Sequence, residues 1–258
     1  MSKSFALLWI LVALAQAGCN RQSYFVSPYN GNNSVYHPIP LHADSIRSAY
    51  YAHVAFALGS ANDEGADEVQ TLHTGLSGSH NFGIFQGFYS LQVSAGNYRV
   101  APWDDQQEAK NQFFGGWGGE GGLNVVASFG NDEWRVLGIE AAWKQEWGDY
   151  LRFRKRLDYG AVDVLVKSPA FQTLGGYTEF VARRQDIAVG FRLAYGTVLG
   201  RSYRRRYLNN PYDRDYLTYR YSHFTIHLTR KKYTGFIRTH FATKASSALF
   251  GVNYRLGK

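Results

Sequence analysis

Seven charged or imidazole side chains interrupt apolar segments of this sequence, where they could form a polar network. They are Glu120, Glu140, Lys144, Glu146, Arg192, Arg238 and His240, with His53 and His73 as further candidates. Carboxylates beside cationic groups can pair and fill an interior, or they can bring an acid and a base together for proton transfer. A narrow polar conduit is a third interpretation. We favour the structural interpretation, because closely spaced charges of both signs pair with one another.

Serine and histidine residues could provide the nucleophile and base of a lipid-modifying enzyme. Ser77, Ser79 and His80 are close in sequence, and His223 and His227 are four residues apart. On a strand, Ser79 and His80 would point to opposite faces, while His223 and His227 would share a face about 13 Å apart. Neither arrangement is a catalytic dyad, so we predict that the chain is not an enzyme. The scattered histidines lack clustered carboxylate or cysteine ligands, and we expect no metal and no cofactor.

The positive charge of the chain limits its partners. A net charge of +8 and a pI near 9.5 could indicate nucleic acid, but the charge is spread over predicted loops and turns. We therefore expect no nucleic-acid partner. The cluster Arg204, Arg205 and Arg206 suits phosphate recognition. We predict that it contacts outer-membrane lipids and lipopolysaccharide, and the alternative is a solvated rim that binds nothing specifically.

The segment from Asp186 to Gly200 shows the kind of element that positions these groups. Its odd positions are mostly large and apolar, whereas its even positions are mostly small and include Arg192. Period two over this length exceeds an ordinary soluble strand. The pattern favours a membrane barrel, with large side chains toward lipid and small or charged ones toward the lumen. A soluble β-sandwich is the alternative.

Further alternating segments predict an all-β fold, a transmembrane antiparallel up-and-down β-barrel of about ten strands. Leu137 and Ile139 share one face of a candidate strand, and Glu140 and Lys144 share the other. A charge on the lipid face would cost about 2 to 4 kcal/mol at mid-membrane, which fixes the inward side. Long and tight connections alternate along the chain. Eight or twelve strands are the alternatives, because the second strand is weak and residues 148–169 are ambiguous.

The glycine-rich run from Gly115 to Gly122 resembles a phosphate-binding loop at first sight. It lacks the following Lys-Ser/Thr pair and a strand-to-helix context. We predict instead that these glycines mark a bend, a bulge or a place where something packs closely inside the barrel.

The N-terminus has the features of a secretory signal, with Lys3 followed by an apolar run from Phe5 to Ala15. The segment Ala15-Gln16-Ala17-Gly18-Cys19 resembles a bacterial lipobox, although Gln16 stands where an aliphatic residue is usual. Cys19 is the only cysteine and cannot form an internal disulfide. We predict that residues 1–18 are a lipoprotein signal peptide cleaved before Cys19, which is then acylated. An ordinary signal peptide with an incidental cysteine is the alternative.

Residues 19–45 carry Pro28, Pro38 and Pro40 and are predicted to form an irregular, lipidated periplasmic tether, which could also pack against the lower rim of the barrel. Residues 46–258 are predicted to form the barrel. With Cys19 anchored in the inner leaflet, the N-terminus would lie on the periplasmic side. No later segment approaches 18 consecutive apolar residues, which excludes a helical span.

The lipobox, the tether and the final strand Phe250-Gly251-Val252-Asn253-Tyr254-Arg255-Leu256 together resemble the small outer-membrane β-barrel lipoproteins of Bacteroidota. The resemblance implies a barrel in the bacterial outer membrane and transfers no active residue. We predict a structural or accessory role, as a subunit of or partner to a larger outer-membrane assembly, with an outer-membrane protein as partner. A small channel for solutes is the second hypothesis, and a lipid-modifying enzyme is the third.

Overall fold

A computed structural model describes residues 24–30, 34–41, 46–62, 67–102, 110–157, 164–199, 204–205 and 219–257. Ten long strands are β2 (Ser48–Ala61), β3 (Asp67–Phe82), β4 (Phe85–Val100), β5 (Lys110–Phe129), β6 (Asp132–Gly148), β8 (Ala170–Arg184), β9 (Ile187–Leu199), β11 (Arg220–Arg230), β12 (Tyr233–Ala242) and β13 (Ala245–Leu256). Three short strands are β1 (Tyr24–Phe25), β7 (Val164–Leu165) and β10 (Arg204–Arg205), and the helix α1 spans Asp149–Arg156. No helix of these residues is long and apolar enough to cross a membrane.

The ten long strands form a closed barrel in which every strand is antiparallel to both of its neighbours. Neighbours follow the order of the chain, and the ladder closes where β13 pairs with β2, for example at Val252 and Val54. The weak second candidate is the full-length strand β3. The described residues of the ambiguous region 148–169 form α1 and β7 after the end of β6, and β6 pairs directly with β8 in the wall. The predicted ten-stranded up-and-down barrel is confirmed.

The alternation of side chains gives the wall an apolar outer face. On β9, Leu193 and Tyr195 are each 57% exposed, while Arg192, between the outward Phe191 and Leu193, is 1% exposed. Large apolar side chains such as Leu91 and Leu137 repeat this outward pattern on the other strands. Closure of the ladder pairs the backbone groups of the wall within the protein, as a hydrocarbon environment requires. Membrane-spanning barrels have this combination of an apolar exterior and a closed ladder of strands.

The two ends of the barrel differ in their connections. At one end, which we call the turn end, two-residue turns such as Gly83-Ile84 and Gly130-Asn131 join the strands, and Gly130 supplies a left-handed φ of 66°. At the other end, which we call the loop end, residues 101–109 and 149–169 join the strands. Strand β2 begins and β13 ends at the turn end, as an even number of strands requires.

The described part of the N-terminal segment lies inside the barrel. Residues 25–30 and 34–41, which we call the plug, are all buried. Phe25 pairs with Leu165 at the loop end, and Leu41 packs against Val181 and Ala188 at the turn end. This differs from the predicted tether outside the barrel. The physical reason is that the plug carries apolar side chains, and the wall opposes them with small inward residues that leave room.

Candidate functional site

The candidate functional site is the lumen, and at the loop end an apolar cluster closes it. This cluster, which we call the cap, consists of Phe25, Val26, Tyr29, Ala61, Val69, Tyr98, Val100, Phe114, Tyr150, Leu165, Val166, Phe171, Val198 and Tyr219. The rings of Tyr98 and Tyr150 stack with their centroids 3.8 Å apart. Phe25 meets Phe153 of α1 edge to face at 5.5 Å. Strand β7 lies between β1 and β10 in a small sheet, so the long connections and the start of the plug form one unit.

A buried ion pair ties α1 to the barrel wall beneath the cap. The Arg154 guanidinium lies 2.5 Å from both carboxylate oxygens of Glu146 and donates a hydrogen bond of 2.8 Å to the Val166 carbonyl. Burial alone would lower the pKa of Arg154, but the Glu146 carboxylate raises it above its ordinary value. The guanidinium therefore stays charged, and the predicted lumen residue Glu146 serves to hold the helix in place.

At the inner side of the cap, the wall contacts Tyr29, which belongs to both the cap and the plug. The Tyr29 and Ser94 hydroxyls are hydrogen-bonded at 2.8 Å, and the Lys144 ammonium lies 4.6 Å from the centroid of the tyrosine ring. A Cβ added at Gly116 would collide with the Tyr29 hydroxyl. The glycine-rich run thus contains a place of close packing, as the sequence suggested, while the register shift between β5 and β6 lies further on, at Val125 and Val126, where Val136 of β6 is the extra residue.

The centre of the lumen contains a buried carboxylate that three other groups share. Glu179 forms an ion pair of 2.8 Å with Arg135, and it lies 2.9 Å from His227 Nε2. Tyr36 of the plug donates a hydrogen bond of 2.8 Å to the same carboxylate, and its ring stacks on His227 at 4.4 Å. Through this cluster the wall holds the plug with a charge-assisted hydrogen bond, which is stronger than a neutral one.

Two further clusters surround the plug. In the first, Arg192 and His223 both contact Glu140, His223 at 2.9 Å, and the Arg192 guanidinium stacks 3.5 Å above the Tyr177 ring. In the second, Arg238 donates a hydrogen bond of 2.7 Å to the Ser34 hydroxyl of the plug, and His240 lies 3.4 Å from the Ser34 carbonyl. The plug residue His37 also contacts Glu120 of the wall.

Wall side chains also satisfy the backbone of the plug, which forms no regular ladder in residues 26–30 and 34–41. Arg135 donates a hydrogen bond of 2.9 Å to the Ile39 carbonyl, and Asn253 donates one of 3.2 Å to the Tyr36 carbonyl. Buried carbonyl groups without partners are costly, so these contacts allow an irregular segment to remain inside the barrel.

All seven of the predicted lumen residues are buried on the inner side of the wall: Glu120, Glu140, Lys144, Glu146, Arg192, Arg238 and His240. Sequence reasoning missed Arg135 and Glu179, which are also buried. Arg135 lies at an odd position that would face lipid if the alternation of β6 continued unbroken. An irregularity between Arg135 and Gly138 changes the phase and turns Arg135 inward. Glu179 follows the regular inward alternation of β8, a signal that was available in the sequence.

The remaining predicted positions are only partly described. Cys19 and Arg206 lie outside the described residues. The backbone of Arg204 and Arg205 forms β10, which pairs with β7. The predicted arginine cluster therefore begins in the small sheet that also contains the start of the plug.

The predicted serine and histidine pairs are separated as expected. Ser77 and Ser79 are buried on the inside, whereas His80 lies on the outside of the barrel, where its Nδ1 is 2.8 Å from the Ser48 hydroxyl. The other ring nitrogen of His80 lies 3.5 Å from the Tyr89 hydroxyl. Sequence reasoning missed this pair, because Ser48 is brought beside His80 only by the pairing of β2 with β3.

Comparisons with known proteins find only distant similarities. No protein-family model matches this sequence, and no curated protein matches it. Among solved structures, the translocator domain of autotransporter NalP from Neisseria meningitidis is 12% identical, with a TM-score of 0.43, over 84% of this chain and 91% of that one. The beta domain of the Bordetella autotransporter Brka is 11% identical, with a TM-score of 0.48, over 81% and 99%. LpxR from Salmonella typhimurium is 9% identical, with a TM-score of 0.36, over 80% and 99%. This chain is similar to these outer-membrane barrels in fold alone.

Proposed function

We propose that this chain is a plugged, lipid-anchored β-barrel of the bacterial outer membrane with a structural or accessory role, as a subunit of or partner to a larger outer-membrane assembly. The observation that carries the proposal is the occupation of the lumen by the plug. A barrel whose interior is filled by its own chain presents only its loops, turns and outer wall to other molecules.

The contents of the lumen argue against free passage of solutes. The cap places apolar rings across the loop end, and paired charges surround the plug at mid-height. A cavity of about 220 Å³ at the turn end is lined by the plug residues Tyr36, Pro38 and Leu41. Small barrels have interiors that side chains can fill, and here the plug adds a further chain segment to them.

The contacts of the plug are strong enough to make opening rare. Hydrogen bonds to charged groups each contribute about 1.5 to 3 kcal/mol, and an unpaired buried charge costs more. If the plug were withdrawn, three wall residues would lose their plug partners at the same time: Glu179, Arg238 and Glu120. A closed lumen is therefore the expected resting state.

Anchoring and partner binding would use the parts of the chain outside the lumen. The lipobox supports acylation of Cys19, and several acyl chains at about 0.8 kcal/mol per buried methylene would anchor the chain durably. The Arg204, Arg205 and Arg206 cluster supports contact with lipopolysaccharide phosphates. The apolar outer wall offers a surface for an outer-membrane protein partner.

Conductance across planar bilayers tests the plugged state. The matched variant replaces residues 24–41 with a Gly-Ser segment of equal length and keeps the signal peptide and Cys19. We expect the full chain to show no steady conductance and the variant to conduct through the polar lumen. A steady conductance in the unaltered chain would contradict the proposal.

Gentle detergent extraction tests the accessory role. An affinity tag inserted after Asn209 allows recovery of the chain from native membranes, with co-purifying proteins identified by mass spectrometry. We expect a stoichiometric outer-membrane protein. Recovery of the barrel alone, at every detergent strength that keeps it folded, would contradict this part of the proposal.

A second candidate function rests on the outward Ser48–His80 pair. Ser48 Oγ could attack the ester carbonyl of a membrane lipid while His80 Nδ1 accepts its proton. The ester C–O bond then breaks, the lipid alcohol leaves with the proton from His80, and water hydrolyses the acyl group from Ser48. An apolar groove beside His80, lined by Phe82, Gly87 and Leu123, could receive the acyl chain. Mass spectrometry of phospholipids from cells with the unaltered chain or with Ser48→Ala checks this, because the pair lies at the turn end of the barrel. Identical lipid profiles would remove the candidate.

A further inference from the structure

The direction in which the plug crosses the lumen decides where the N-terminus lies. Phe25 pairs with β7 of the long connection 149–169, and the Val166 backbone donates a hydrogen bond of 2.9 Å to the Phe25 carbonyl. The barrel wall begins at Ser48, at the turn end. The chain therefore passes through the whole barrel before it forms the first strand of the wall.

The contacts of the plug descend along the barrel in the order of the sequence. Asn30 donates a hydrogen bond of 3.1 Å to the Thr243 carbonyl at the loop end. Ser34 meets Arg238, and Tyr36 meets Glu179 nearer the middle. Leu41 then packs at the turn end. The described residues thus make one crossing, and both the start and the finish of that crossing are fixed by buried contacts.

We infer that the N-terminus emerges on the membrane face that carries the long loops, so that the residues before Tyr24 are displayed at the cell surface. In outer-membrane barrels the short turns face the periplasm and the longer loops face outward. The pairing of the N-terminus with the long loops rests on the plug. Only the identification of that face as the cell surface rests on the proposed outer-membrane location.

The inference places any acyl group on Cys19 in the outer leaflet. Cys19 precedes Phe25 by six residues, which span at most about 20 Å when fully extended. The apolar band of an outer-membrane barrel is about 25 Å tall. A chain leaving the cap at the loop end therefore cannot reach the inner leaflet. This replaces the predicted periplasmic N-terminus, which assumed a tether outside the barrel.

The N-terminus and the arginine cluster would then share one face. Strand β10, formed by Arg204 and Arg205, pairs with β7, and β7 pairs with β1. A surface-displayed N-terminus beside a basic connection is suited to the phosphate-rich outer leaflet. The chain would be held to that leaflet from both sides of the same small sheet.

Accessibility of three protease-cleavable epitope tags in whole cells tests the inference. Separate full-length chains carry the tag after Gln22, after Asn209 in the long connection, or between Gly130 and Asn131 in a tight turn. We expect external protease to cleave the first two tags in intact cells. The third should be cleaved only after the outer membrane is permeabilised.

The comparison between tags separates this inference from the proposed function. If the tag after Gln22 behaves like the tag at Gly130, the inference is wrong. If the long-loop and tight-turn tags exchange their behaviour and the tag after Gln22 still follows the long loop, the N-terminus is correctly paired but the proposed orientation is wrong. With an ordinary secretory signal in place of residues 1–18, Cys19→Ala should leave the cleavage pattern of the Gln22 tag unchanged, because the plug and not the lipid sets the direction.

A second measurement guards against displacement of the plug by the tag. A photo-crosslinking amino acid replaces Tyr29 in the untagged chain, and the crosslinked peptides are identified by mass spectrometry. We expect crosslinks to the peptides that contain Ser94 or Gly116, since both lie against Tyr29. Crosslinks to turn-end peptides, such as the one that contains Val181, would show a different path and overturn the inference.

Discussion

The cap and the mid-lumen clusters hold the same plug by different physics. The cap around Phe25 is aromatic and aliphatic and packs without directional requirements. The clusters around Glu179 and Glu140 are charged, hydrogen-bonded and specific in geometry. Apolar packing excludes water and tolerates shifts, whereas a buried carboxylate requires its partners in place. We interpret the cap as the part that closes the lumen, and the charged clusters as the part that fixes the position of the plug along the barrel.

The largest effect is expected from Glu179→Ala, which removes the shared carboxylate of one charged cluster. It leaves Arg135, His227 and the Tyr36 hydroxyl without their shared carboxylate, and removal of one partner of a buried pair costs about 3 to 5 kcal/mol. Heat-modifiability on gels should show a clearly lower unfolding temperature. Glu68→Ala is the matched control, because the Glu68–Arg99 pair of 3.5 Å is exposed. Equal effects of the two variants would show that the buried cluster has no special weight.

The next effect is expected from Phe25→Ala, which removes an aromatic ring from the cap. Phe25 is 0% exposed, and truncation of a buried phenylalanine costs about 3 kcal/mol or more. We expect transient conductance and faster proteolysis of the N-terminal segment with little change in the barrel itself. Phe82→Ala is the control, because Phe82 is 66% exposed on the outside. If the Phe25→Ala barrel shows no conductance and no faster proteolysis, the charged clusters and not the cap close the lumen.

A smaller effect is expected from Gly116→Val, which tests the junction between the two regions. The added side chain would collide with Tyr29, and overpacking costs about 1 to 3 kcal/mol. Unfolding temperature and conductance noise should both change. For Gly235→Val no atom lies within 4 Å of the added Cβ, and this control should behave like the unaltered chain. Indistinguishable variants would mean that Tyr29 has another position.

The smallest effect is expected from Arg184→Ala at the turn end, outside both regions. Arg184 forms an ion pair of 2.6 Å with Asp132 but is 75% exposed. Exposed pairs are screened by water and salt. We expect no measurable change in unfolding temperature. A large change would place part of the stability of the barrel in its turns and weaken the contrast between the cap and the charged clusters.

The sequence was sufficient for the wall and insufficient for its contents. Alternation such as that around Arg192 predicts the strands, their number and their inward and outward faces, because the large apolar residues of each strand identify its outer side. Alternation cannot predict Arg135, since a local irregularity changes the phase. It is also silent about the plug, because an irregular segment with prolines has no periodicity that reveals its surroundings. The Ser48–His80 pair depended on the register of two strands, which single-strand patterns do not fix.

The closure of β13 against β2 gives the plug a kinetic property. These strands are the first and the last of the wall, so a closed ring of hydrogen bonds encircles a segment that precedes it in the chain. Asn253 and the Thr243 carbonyl, near this seam, both contact the encircled segment. The segment is threaded through this ring, and a bulky group at the N-terminus would prevent it from sliding out. The lifetime of the arrangement would then follow the rate at which the seam opens, whatever the affinity of the segment for its surroundings.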